Sequence, residues 1–260
     1  FGWVQISSFW VCVLLGFLVG AFLVWRQGRD AHIPEDKMLD CIFITTLTAL
    51  FGARLAYFLL NLMEFHYNVL QFPLLWKYHG LSLMGSVIGG CMGLLMVTRR
   101  TKLPFWQLFD IALLGLLPVV AFVGIGGLLG GQEVGRLVRV GSGVNFVGFE
   151  GARYPIGLYE LIFGLIGYII TVRIAKRYDT EKRVFGIVGL MIAVVGSIFF
   201  FTLAFFKEES VYLGSLSFNQ IVLAVVLFMA TALLYRKLEL NMSAQIIAVY
   251  RTLRKLHNNK

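Results

Sequence analysis

The chain has 260 residues, 58% of them hydrophobic and 14% charged, with a mean hydropathy of +0.81. A soluble domain carries about a quarter charged residues, so the composition excludes a water-soluble globular protein and points to an integral membrane protein. The net charge of +9 does not indicate nucleic-acid binding, because the basic residues cluster at the ends of apolar runs.

Apolar stretches long enough to cross a bilayer as helices fall at roughly 3–25, 38–62, 81–98, 105–130, 156–175, 185–206 and 217–235. The expected fold is an all-α membrane domain of seven transmembrane helices over residues 1–235. The first stretch is too long for a signal-peptide core, and no small-residue cleavage site follows it. The second contains Arg54, which shares a helix face with Tyr57 and Asn61. An arginine at that depth wants a carboxylate, from Glu160 or Glu133, or a lipid phosphate. The third opens on the glycine-rich "MGSVIGGCMG", read as a close helix contact.

The fourth stretch carries Asp110 near the basic "RRTK", a position suited to capping or pairing at the membrane edge. It ends in "VGIGGLLGGQEVGR", where glycines meet Gln132, Glu133 and Arg136. The connection 131–155 alternates apolar residues around Gly-Ser-Gly, which predicts a small periplasmic β-hairpin in a head loop. Pro155 suits a helix start, placing Tyr159 and Glu160 in the first two turns of the fifth span. After the seventh span, 236–260 reads as a basic amphipathic helix lying on the cytoplasmic membrane surface.

Lys and Arg set the orientation. Segments 26–37, 99–102, 173–183 and 236–260 hold 3, 3, 5 and 6 of them, against 1, 3 and 1 in 63–80, 131–155 and 207–216. The N-terminus is therefore expected in the periplasm and the C-terminus in the cytoplasm. The four histidines lie outside the spans, so none is placed as a buried general base. Cys12, Cys41 and Cys91 lack metal-ligand spacing and read as small packing residues. No cofactor or metal is expected.

Taken in order, "GARLAYFLLN", "WKYHGLSLMGSVIGG", "TRRTKLPFWQLFDIALLGLLP", "GGQEVGR", "YPIGLYEL" and "FNQIVL" resemble the bacterial phosphatidylglycerol:prolipoprotein diacylglyceryl transferases over nearly the whole chain. The resemblance implies an inner-membrane enzyme that moves a diacylglyceryl group from phosphatidylglycerol to a lipoprotein cysteine, with glycerol phosphate leaving. That reaction needs an activated thiol and cations where charge builds on the departing phosphate.

In this alignment the family His falls on Met84, and the signature Arg and Asn fall on Gly124 and Gly127. The signature Glu falls on Gln132 or Glu133, and the first-span Tyr on Phe9. On the sixth span the family Arg and Glu become Phe199 or Phe200 and Leu203 or Ala204. Arg54, Asn61, Asp110, Arg136, Tyr159, Glu160 and Gln220 are retained. The resemblance thus implies a scaffold kept while most of the reacting groups are replaced. Arg54 and Arg136 are expected at a lipid phosphate, supported by Tyr57, Asn61, Gln132, Tyr159 and Glu160. Glu133 and Arg136 are the candidate catalytic pair. The expected partners are a phosphatidylglycerol-like phospholipid and lipoprotein or membrane-complex subunits. The expected function is a catalytically degenerate lipid-binding member of an envelope complex, the alternative being an active transferase.

Overall fold

A computed structural model describes residues 8–62, 72, 80–131, 134–138, 143–146, 148–177, 184–207, 212–213 and 215–258. Among them are seven helices: α1 (Ser8–Asp30), α2 (Glu35–Leu60), α3 (Leu83–Thr101), α4 (Phe105–Gly130), α5 (Ile156–Arg177), α6 (Ile187–Leu203) and α7 (Phe218–Asn258). Five of these, α1, α2, α4, α5 and α7, are long and apolar enough to cross a membrane, and α6 is a shorter apolar helix.

Local chemistry sets most boundaries. Glu35 and Asp36 lie in the first turn of α2, where the helix dipole favours negative charge. Ser82 caps α3 by accepting a bond from the Gly85 N–H at 3.4 Å. At the start of α7 the Ser217 N–H donates to Gln220 Oε1 at 2.9 Å while the Gln220 N–H donates to Ser217 Oγ at 3.3 Å. This is a reciprocal cap, which gives the retained Gln220 a structural role.

α4 is the central helix, packed on α1 and α5 and also touching α3 and α6. α2 lies along α3, and α6 along α7. A small buried core of Ile33, Met38, Cys41, Leu94, Val97, Leu108 and Ile111 gathers where α2 and α4 begin and α3 ends. Outside it, large side chains such as Phe22, Phe43, Phe51 and Phe228 are exposed, as a surface bathed in lipid requires.

At the other end lie β1 (Val134–Leu137), β2 (Val144–Asn145) and β3 (Ala152–Pro155), an antiparallel sheet of order β1-β3-β2. This corrects the expected hairpin. Among the described residues, β1 and β2, on either side of Gly-Ser-Gly, do not pair with each other; each pairs with β3, which runs straight into α5. A second short pair, β4 (Tyr212–Leu213) and β5 (Leu216–Ser217), precedes α7.

Candidate functional site

α5 and α6 form an apolar groove of about 780 Å³. Its walls include Tyr159, Ile166 and Ile170 of α5 and Met191, Val195 and Phe199 of α6, with Leu117 of α4 behind. Phe163 and Phe199 stack across it, ring centroids 4.1 Å apart and 5° from parallel, and Phe200 meets Phe163 edge-on at 6.0 Å. The sixth-span positions where the resemblance places an arginine are therefore occupied by a phenyl stack.

The sheet is fastened over one end of this groove. The Arg136 N–H donates to the Phe206 carbonyl at 2.8 Å, and its guanidinium Nε to the Lys207 carbonyl at 3.0 Å. Gly135 and Lys207 form a β-bridge, and Tyr154 meets Phe206 edge-on at 5.0 Å. Arg153 of β3 donates to the Gly135 carbonyl at 3.3 Å and lies over the Phe149 ring.

Beneath this seam Lys207 Nζ lies 3.0 Å from Glu160 Oε1. The carboxylate is 4% exposed and the lysine 27%. A buried carboxylate is tolerated where it is paired. Lys207 escaped the sequence reading because it looks like a lone charge in a connection. The signal that could have found it is its place just after an apolar span, facing a helix that carries a buried glutamate.

Arg54 is 4% exposed. Its Nε donates to the Phe72 carbonyl at 2.8 Å and a terminal nitrogen donates to the Gly80 carbonyl at 3.1 Å. Its guanidinium carbon lies 5.8 Å from the Tyr57 ring centroid, and Gly80 packs against that ring. Asn61 Nδ2 donates back to the Tyr57 carbonyl at 3.0 Å. Arg54 thus reaches Phe72 and Gly80, Tyr57 meets Gly80, and Asn61 bonds back to its own helix. Arg136 lies on β1 and is held by the segment that follows α6, away from these three.

Gly124, where the resemblance sets the signature Arg, lies in a close α4–α5 contact. A Cβ there would collide with the Gly157 carbonyl and stand 2.6 Å from the Leu161 nitrogen. The same contact, seen from Gly157, closes on the Gly124 carbonyl. The place where the resemblance sets a cation is filled by the backbone of the next helix. Gly127 is buried in α4. Phe9 of α1 packs beside Gly126 and Gly130. Gln132 and Glu133 lie outside the described residues, as does the side chain of Met84 at the start of α3.

At the opposite end, Asp110 of α4 accepts the N–H groups of Gly186 and Gly189 at 2.6 Å each. Two orphan donors at the start of α6 are satisfied by one buried carboxylate from another helix. Lys237 of α7 donates to the Phe185 carbonyl and lies 3.8 Å from the Trp106 ring centroid.

The family model for prolipoprotein diacylglyceryl transferase matches residues 1–236. A phosphatidylglycerol--prolipoprotein diacylglyceryl transferase of Geobacter sulfurreducens is 28% identical over 222 residues, 83% of each chain. One of Streptococcus agalactiae is 25% identical over 240 residues, covering 90% of this chain and 92% of the relative. One of Bacillus cereus is 28% identical over 188 residues, 66% of this chain and 69% of the relative.

Proposed function

Because this chain belongs to the prolipoprotein diacylglyceryl transferase family of bacterial inner-membrane proteins, we propose that it is a catalytically degenerate member that keeps the lipid-handling body. It holds a phosphatidylglycerol-like phospholipid and serves a lipoprotein or membrane partner in an envelope complex. The acyl chains lie in the α5–α6 groove, and the headgroup phosphate meets Arg136 at the sheet end, beside Lys207. Arg54 contributes by fixing the connection after α2. In this reading α3 and α6 complete seven spans, with the N-terminus periplasmic and the C-terminus cytoplasmic, as the distribution of Lys and Arg supports.

The observation that carries the reading is the backbone contact between Gly124 and Gly157. Transfer needs positive charge close to the departing phosphate, and losing one preorganised stabiliser costs about 2.7–4 kcal/mol, a hundredfold to a thousandfold in rate. Here the signature position has no room for a side chain, and the second arginine position belongs to an aromatic stack. Losses from groups that act together remove most of the catalysis.

The second reading is an active, divergent transferase with Arg136 at the phosphate and Glu133 activating the thiol. It is favoured by the name shared by relatives that match most of this chain and by the retained Arg136 and Glu160. Complementation separates the two. Cells depleted of their own transferase and supplied with this chain, confirmed in the membrane by immunoblot, are expected to stop growing. Sustained growth would establish the second reading.

A further inference from the structure

The three-stranded sheet has two faces of different kinds. Residues paired across an antiparallel ladder project to the same side. Leu137 of β1 and Val144 of β2 both pair with Arg153 of β3, so these three side chains form one row across the sheet. Phe149 joins the row, because the Arg153 guanidinium lies over its ring, 5.2 Å from the centroid. Tyr154, the next residue along β3, points the other way and packs on Phe206 in the seam that fastens the sheet. The row therefore lies on the face turned away from that seam. Its apolar members are open: Leu137 is 51% exposed, Val144 45% and Phe149 43%.

The depth of the sheet decides what meets this face. The apolar span of α5 begins at Ile156, the residue after β3, so no linker lifts the sheet clear of the bilayer. Arg153 is three residues before Ile156, at most about 10 Å away along an extended strand. α4 gives the same level. Its 26 residues extend about 39 Å, more than the hydrocarbon thickness of about 30 Å, so its ends reach headgroup layers that are each roughly 5–8 Å deep. Phe149 sits beside Gly131, the residue that caps α4, where an added Cβ would lie 3.9 Å from its ring. Leu129 near the end of α4 and Leu158 in the first turn of α5 are exposed, and they carry the apolar surface of the two helices up to the sheet.

We infer that the Leu137–Arg153–Val144 face, with Phe149, lies in the headgroup layer on that side of the membrane, and that phospholipid covers it. Apolar side chains at this level gain by entering the boundary between headgroups and acyl chains. Arg153 suits the same place, with its stem among apolar neighbours and its charge at the level of lipid phosphates. Glu150, the exposed acid close by in sequence, belongs to the turn before β3 and not to the row. The sheet is then held from both sides, by the seam on one face and by lipid on the other, which fixes it over the end of the groove. This surface is separate from the groove, and the inference does not rest on what the groove binds.

Fluorescence quenching tests it in the full chain with Cys12, Cys41 and Cys91 replaced by alanine. A bimane label is placed on Leu137→Cys or Val144→Cys, and on Asn145→Cys, which is exposed on the opposite face of the same strand. The proteins are reconstituted in nanodiscs of phosphatidylglycerol brominated near the glycerol end of the acyl chain. The labels at 137 and 144 are expected to lose at least half of their emission relative to unbrominated lipid, and to be quenched by aqueous iodide at least threefold less than the label at 145. Free access of iodide to 137 and 144 without loss on brominated lipid would place the face in water and overturn the inference. Shielding from iodide without loss on brominated lipid would mean that a protein covers the face, and would overturn it equally. So would bromine quenching of the same size at all three positions, which would show no preference for this face. None of these readouts depends on lipid transfer.

Discussion

Lys207 Nζ and Glu160 Oε1 are 3.0 Å apart and tie the segment after α6 to the second turn of α5. Removing one partner of a buried ion pair costs 3–5 kcal/mol, and the partial exposure of Lys207 lets solvent screen part of that, leaving about 1–3 kcal/mol. Lys207→Ala is therefore expected to lower the Tm in detergent clearly, and Lys207→Ala combined with Glu160→Gln to lower it less. A double-variant loss equal to the sum of the losses in Lys207→Ala and Glu160→Gln alone would mean that the two side chains do not act as a pair.

Gly124 is expected to reject any side chain. Gly124→Ala pushes α4 away from α5 and costs about 1–3 kcal/mol as overpacking. Gly124→Arg introduces the arginine that the resemblance sets there, and is expected to reduce folded protein rather than create transfer. Size-exclusion profiles and an activity assay check both halves. A monodisperse, active Gly124→Arg protein would show that the helices can part to admit the guanidinium.

Asp110 is expected to hold the first turn of α6. Hydrogen bonds to a charged group contribute about 1.5–3 kcal/mol each, and Asp110→Asn loses the charge and one of two acceptors. Hydrogen exchange at the Gly186 and Gly189 amides should speed up at least tenfold in the variant, with distant helices unchanged. Unaltered exchange at these two amides would remove Asp110 from this role.

Arg54→Lys is expected to behave nearly as badly as Arg54→Ala. Two carbonyl acceptors, Phe72 and Gly80, are reached by the planar guanidinium fork, a geometry that an ammonium does not reproduce. Thermal melts in detergent should fall by a similar amount in both variants. A lysine variant with the wild-type Tm would show that charge alone suffices there.

How much of this was legible beforehand differs by element. α4 was predicted at 105–130 and is found there, because Pro104 and Gly131 punctuate an unbroken apolar run. Asp110 was read as a cap or pairing group and caps a helix other than its own. The three-strand order was hidden, because alternation around Gly-Ser-Gly says which residues are extended but not which strand they pair with. The Gly124–Gly157 contact was also hidden: glycines announce a close approach without naming the partner. Lys207 was missed because pairing across α5 and α6 is a tertiary fact. The sequence reads 236–260 as a basic amphipathic helix on the membrane surface, and α7 is helical to Asn258.

The direct test of catalytic degeneracy is a transfer assay. The purified chain, reconstituted in phosphatidylglycerol nanodiscs with a lipoprotein-precursor peptide bearing the acceptor cysteine, is followed by mass spectrometry for the diacylglyceryl thioether and for released glycerol phosphate. The account predicts neither product above the protein-free control, while phosphatidylglycerol co-purifies with the wild-type chain and less of it with Arg136→Ala. Turnover by the wild-type chain that Arg136→Ala abolishes would contradict it.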